Sequence, residues 1–230
     1  MARQSRLQVP GLAHYVLLKG HNGRPVCIDA VDRANLLQAL AAACRAHALV
    51  VHAYALPGDS VHLLVRPQAA ASLSRAMQAL GRRYVGGFNR RHGHSGTLWD
   101  GRFRAAVIEP GATTLQMLSY IDGLGAGVEG DASLRSSLSS SLSSRCSPAR
   151  DALVVDPPEV WALGNTPFER EAAYRAQMRH GLEPAQEAAL AAALRGGWAM
   201  GSPAFHSALA QELGREVRPR PRGRPSLCPQ

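Results

Sequence analysis

"VHAYALPGDSVHLLVRP", residues 51–67, is the stretch from which the fold is read. "LVVHAYAL" and "SVHLLVR" are apolar runs rich in branched and aromatic side chains, and the "PGD" between them supplies the proline and glycine of a tight turn. The stretch is therefore expected to be a β-hairpin. Residues two apart along a strand point the same way, so Ser60 and His62 present their side chains to one face of the sheet.

On the N-terminal side, "LAHYVLLKG" (12–20) reads as a strand ending at Gly20, and "DRANLLQALAAACRAH" (32–47) places Leu36, Leu37, Leu40 and Cys44 at helical spacing. On the C-terminal side, Ser72 is expected to cap the helix "SLSRAMQALGRRYVGGFNRRHG". Its Leu73, Met77, Leu80, Tyr84 and Phe88 form an apolar stripe and Gly93 supplies the stop. "GRFRAAVIEP" (101–110) alternates Phe103, Ala105 and Val107 against Arg102 and Arg104, which makes a fourth strand. The order β-α-β-β-α-β predicts an α+β, ferredoxin-like split β-α-β domain, an antiparallel sheet with helices on one face. "GATTLQMLSYIDGLG" (111–125) adds a helix carrying Tyr120.

The composition then changes. "DASLRSSLSSSLSSRCSPAR" is serine-rich and poor in bulky side chains, the composition of an exposed, flexible linker. From Thr166, "PFEREAAYRAQMRHG", "EPAQEAALAAALRGG" and "SPAFHSALAQELG" read as three short helices ending at glycines, and the last segment repeats proline and arginine. The expected organisation is a domain over 1–127, a linker over 128–165, a small helical C-terminal region over 166–214 and a basic disordered tail over 215–230.

The 230 residues carry a formal charge of +9, almost wholly from arginine, because Lys19 is the sole lysine. Arginine grips phosphate with paired hydrogen bonds and stacks on bases, so the balance points to a polyanionic partner, nucleic acid above all. An RNA-binding ferredoxin-like sheet is disfavoured, since aromatic side chains placed to stack bases are not evident. Cys27, Cys44, Cys146 and Cys228 show no CxxC spacing, so the sequence suggests neither a zinc knuckle nor a disulfide framework. There is no apolar run of the ~18 residues a membrane span needs and no apolar leader core, so a cytoplasmic protein without a membrane partner is expected. His14 and His52 read as satisfied, partly buried strand histidines, and His92 and His94 as loop or phosphate-contact residues.

The start "RQSRLQVPGLAHYV", the hairpin, the block "LSRAMQALGRRYVGGFNRRHGHSGTLWDGRFRA" and the helix containing "LSYI" together resemble the single-tyrosine HUH transposases, in particular the REP-associated tyrosine transposases. The resemblance implies a metal-dependent nuclease acting on single-stranded DNA beside hairpins. Two histidines flanking one apolar residue hold a divalent ion, Mg or Mn. A tyrosine attacks the phosphorus to leave a 5′-phosphotyrosine and a free 3′-hydroxyl, and no nucleotide cofactor is needed because the covalent link conserves the bond energy.

Mapped onto this chain, Tyr120 matches the nucleophile and His62 the second histidine. Ser60 stands where the first histidine belongs, and Leu124 where the family has an amide ligand four residues after the tyrosine. The family's asparagine-proline-valine-arginine continuation is absent. A serine hydroxyl is a weak neutral ligand, so the metal site is expected to be degraded, with Asp59 or Gln116 the residues that could rebuild it. Arg75, Arg82, Arg83, Arg90 and Arg91 on the long helix, with Arg102 and Arg104, are expected to contact DNA. Arg222 and Arg224 sit in "RGRP", which resembles the core of an AT-hook arm. Two functions are thus in view: a transposase relative that binds and cleaves hairpin DNA through Tyr120, and a noncatalytic DNA-binding protein or decaying transposase remnant.

Overall fold

The computed structural model describes residues 6–126, 140–146 and 150–219. Its first half runs β1 (Ala13–Lys19), α1 (Ala30–Ala46), β2 (Leu49–Ala55), β3 (Ser60–Pro67), α2 (Ser72–His92), β4 (Arg104–Ile108) and α3 (Ala112–Ala126). The second half supplies the short α4 (Ser143–Cys146) and α5 (Pro158–Trp161), then α6 (Pro167–His180), α7 (Pro184–Gly196), β5 (Ala199–Met200) and α8 (Pro203–Leu213). The sheet order is β2-β3-β1-β4-β5. The first four strands are antiparallel neighbours, the ferredoxin-like arrangement expected from the order of elements.

Local signals explain most of these elements. Asp29 caps α1 by accepting the Asp32 N–H, and Leu36, Leu40 and Cys44 are buried along one stripe. The stripe of α2 is buried as the spacing predicts, and Gly93 closes the helix at φ 63°, a conformation that glycine adopts without strain. Ser72 is not the cap. It is the first helical residue, and its hydroxyl instead accepts the Ala69 N–H at 3.1 Å.

Alternation along the strands sorts the core into two sides. Val16, Leu18, Val61, Leu63 and Val65 face α1 and α2. Tyr15, Leu17, Ala53, Ala55, Leu64, Ala106 and Ile108 face the opposite way, against Met117, Leu118 and Ile121 of α3 and against Tyr174, Leu190 and Leu194 of α6 and α7. The helices expected on one face are there, α1 and α2. The second face is covered as well, by α3 and the C-terminal helices, because its side chains are as apolar as those of the first. The C-terminal region also contributes β5, which pairs in parallel with β4 through Val107 and Ala199.

The serine-rich segment corrects the linker expected over 128–165. Residues 127–139 and 147–149 lie outside the described residues, but from Ser140 the chain is packed. β2 is an edge strand, and its outward backbone groups need partners. Tyr54 N–H donates to Ser141 Oγ at 2.9 Å, and Ser141 N–H donates to the Tyr54 carbonyl at 3.0 Å. Farther along, Val155 N–H donates to the Val51 carbonyl at 2.9 Å. Serine serves there because it is small and carries its own hydrogen-bonding group. The expected boundary of the basic tail at 215 also moves: Val217 is buried and its carbonyl accepts the Ala199 N–H at 2.8 Å, while 220–230, with Arg222 and Arg224, lie outside the described residues.

His14 and His52 are fully rather than partly buried; His14 is bonded at both ring nitrogens, whereas His52 is bonded at Nδ1 to the Val155 carbonyl and its Nε2 has no hydrogen-bond partner among the described residues. The His14 ring accepts the Val9 N–H at Nε2 and donates from Nδ1 to the Leu12 carbonyl, so it is a neutral imidazole bridging two backbone groups. Burial lowers its pKa from 6.5 to about 4. The unfolded chain therefore takes up a proton near pH 6.5 that the folded chain refuses until about pH 4. The stability that His14 confers is complete above that window and is lost as pH falls through it, on the order of 3 kcal/mol. Urea midpoints at pH 7 and pH 4.5 should differ less in His14→Gln than in the parent; equal differences would contradict this assignment.

Candidate functional site

The site lies at the end of the sheet where β1 finishes and β3 and β4 begin. Register places Ala55, His62, Leu17 and Arg104 in one row across four strands, and Lys19 beside Ser60 in the next row. Paired residues share a face, so Ser60, His62, Lys19, Arg104 and Tyr15 all belong to the side covered by α3. Tyr120, half-buried on α3, comes down over this face with its ring 6.4 Å from that of Tyr15.

Hydrogen bonds join four of the side chains in a directed chain. Ser60 Oγ–H donates to Asp59 Oδ1 at 2.8 Å, since a carboxylate can only accept. Having spent its proton, Ser60 Oγ must be the acceptor in its 3.2 Å contact with His62 Nε2, which makes His62 the Nε2–H tautomer. His62 Nδ1 is then bare and accepts from Tyr15 O–H at 2.6 Å. Burial lowers the His62 pKa to about 4, against the pull of Asp59, so the ring is neutral near pH 7. The Tyr15 phenol is pushed well above its ordinary value by burial and by Tyr120, and that of Tyr120 is raised by burial and by Glu187. Tyr15 was not singled out in the sequence. Its only signal was the alternation Tyr15, Leu17, Lys19 in β1, which becomes meaningful once the β1–β3 register is known.

The arginines separate into two groups. Arg75, Arg82, Arg83 and Arg90 are exposed on α2, on the opposite side of the sheet from Tyr120. Arg91 is committed within the protein, 2.6 Å from both Asp29 and Asp32. His92 is likewise a partner of Asp32 at 2.9 Å. Arg102, just before β4, and Arg104, its first residue, are exposed, and only Arg104 is in register with the His62 row.

Residues 12–123 match the family described as Transposase IS200 like. This segment is a transposase IS200-like domain. It contains the whole β-α-β-β-α-β unit and most of α3. Among solved structures, a REP-associated tyrosine transposase bound to a REP hairpin is similar at 16% identity over 53% of this chain and 70% of that one, with a TM-score of 0.43. A protein classed as a transposase from Deinococcus radiodurans R1 is similar at 22% identity over 53% of this chain and 96% of that one, with a TM-score of 0.37. Among curated proteins, none matches.

The positions at which this transposase IS200-like domain would hold a divalent ion do not fit one. Both His62 ring nitrogens have protein partners, Tyr15 at Nδ1 and Ser60 at Nε2. Leu124 packs against the apolar cluster beneath α3. Of the two residues that could rebuild the site, Asp59 holds the Ser60 proton, and Gln116 Oε1 accepts from Gln186 Nε2 of α7 at 3.3 Å. No group of three or more histidine, cysteine and acidic side chains is placed to hold a metal among the described residues.

Proposed function

We propose that this chain binds single-stranded DNA folded into hairpins, as a relative of the REP-associated tyrosine transposases, and that DNA binding rather than strand cleavage is its principal activity. The observation that carries the reading is the end of the sheet itself: Tyr120 stands over the His62 face in a transposase IS200-like domain, while the metal-ligand positions hold Ser60 and Leu124. The net charge of +9 supports a nucleic-acid partner, and the sequence block from Ser72 to Arg104 supports the REP-associated branch. Tyr120 is the proposed nucleophile of whatever cleavage the chain retains. No helix among the described residues is long and apolar enough to cross a membrane, and cytoplasmic DNA is the proposed target.

Filter binding of a labelled hairpin between low and physiological salt tests this. Affinity should fall linearly on logarithmic axes, because each neutralised phosphate releases condensed counterion, and a flat series would refute the reading. Arg82→Gln and Arg83→Gln should each lower the slope by about 0.7 where they meet single-stranded backbone. Removing 220–230, with Arg220, Arg222 and Arg224, should weaken binding at an unchanged melting temperature. Cutting at 215 would also remove Val217 from beside β5 and confuse the two effects.

A further inference from the structure

We infer that the end of the sheet is a metal-free binding site for a phosphodiester of single-stranded DNA, with Lys19 and Arg104 supplying the positive charge. This rests on the DNA-binding reading above and adds where the phosphate sits and what holds it.

Three observations converge. Lys19 and Arg104 are both exposed, and among the described residues neither forms an ion pair, in contrast to Arg91, Arg145 and Arg175, which all do. Register puts both on the His62 face. Arg104 is two strands from His62 in the same row, about 10 Å at the backbone, and Lys19 stands next to Ser60. Side chains of that length, Lys19 reaching back along β1 and Arg104 across from β4, can meet on one anion above Leu17.

The donor chemistry also suits a phosphate: Arg104 offers a planar fork of N–H groups, Lys19 a compact ammonium, and neither can accept a hydrogen bond or ligate a cation while charged. Asp59, the anionic side chain beside Ser60, has an oxygen occupied by the Ser60 hydroxyl, and the charge of Glu187 is felt at Tyr120 on the side of the site. His62 lies half-buried on the floor and Tyr120 at the side. The α2 arginines cannot serve this position, because α2 packs on the other face of the sheet.

The test uses the full chain with isotopically labelled histidine, in EDTA, titrated with a short single-stranded oligonucleotide and separately with inorganic phosphate. The His62 ring resonances should shift with the oligonucleotide, and repeating the titration in Mg²⁺ without EDTA should not increase the effect. A weaker shift in the same direction with inorganic phosphate would identify the phosphate group as the part recognised. In the double variant Lys19→Gln, Arg104→Gln the shift should vanish, and the salt slope of binding to the single strand should fall by about 0.7 for each residue. Both side chains are exposed, so the variant should melt at the parental temperature.

If the parent binds hairpin DNA tightly while His62 stays silent, or if the shift appears only with Mg²⁺ in the absence of EDTA, the inference is overturned and the DNA-binding reading stands. If the parent binds no DNA at any salt, that reading has failed first.

Discussion

Arg145→Met should destabilise the protein by about 3–5 kcal/mol, a fall in melting temperature of roughly 10 °C for a chain of this size. The Arg145 side chain is 2% exposed, in the middle of a segment whose composition suggested an exposed linker. Its Nη1 donates to Asp122 Oδ2 at 2.7 Å, and its Nη2 donates to the His52 carbonyl. Its Nε lies 2.9 Å from Asp156 Oδ1 without the alignment of a hydrogen bond, so that contact is one of charge alone.

Asp122, fully buried, also accepts from Ser141 Oγ at 2.5 Å and from Tyr174 O–H at 2.6 Å. Burial alone would favour loss of the Arg145 proton, but Asp122, Tyr174 and Asp156 outweigh it and hold the guanidinium charged. Removing the cation leaves the Asp122 carboxylate desolvated and without a counter-charge, while Asp156 keeps Arg150 at 3.5 Å, and stranding a buried charge is the costly way to break such a pair. Adding Asp122→Leu should return part of the loss, because an apolar replacement of both partners avoids the buried charge. Thermal unfolding of the four proteins in a cycle gives the coupling. A loss below about 1 kcal/mol in Arg145→Met would mean that the pair is solvated rather than buried.

That network shows where sequence reading reaches its limit. The hairpin 51–67 and α2 were legible because a period of two and a stripe near 3.6 are local signals, each contained within a single element. Arg145 and Asp122 are 23 residues apart, and Arg145 and His52 are 93 apart. No spacing announces such a pairing, and serine is as much at home satisfying an edge strand as lying in solvent. β5 has two residues, too few for any alternation to register.

The candidate site divides in the same way. The positions of Tyr120, His62, Ser60 and Leu124 were legible through the family pattern. The occupancy of the His62 nitrogens was not, because it depends on Tyr15, 47 residues away across a strand pair. Nor could the arginines be sorted without the sheet, since only its faces show that those of α2 and Arg104 lie on opposite sides.

Ser60→His combined with Leu124→Asn should turn a chain that forms little or no covalent adduct with hairpin DNA into one that forms it in the presence of Mn²⁺. The gain should be on the order of a thousandfold, the rate equivalent of the several kcal/mol a Lewis-acidic ion supplies at a phosphoryl oxygen. Ser60→His removes the hydroxyl that occupies His62 Nε2 and sets a second imidazole on the same strand face. Tyr15 need not be changed: with Nε2 given to the metal, His62 carries its proton on Nδ1 and donates it to the Tyr15 oxygen, the kind of outer partner that fixes a ligating histidine.

Leu124 is only partly buried against the α3 cluster, so Leu124→Asn should cost about 1 kcal/mol of stability. The two changes act on one ion, so their effects on metal affinity should exceed the sum of the single ones. In the adduct the Tyr120 oxygen bonds to phosphorus and the bond from phosphorus to the 3′-oxygen breaks, releasing a 3′-hydroxyl. Tyr120→Phe in the same background must therefore abolish the adduct while leaving Mn²⁺ binding, measured by calorimetry, unchanged. Cleavage by the parent equal to that of the double variant would show that Ser60 and Leu124 are not the defect. Metal binding without an adduct would place the defect in the segment after Tyr120, where the family's continuation is missing.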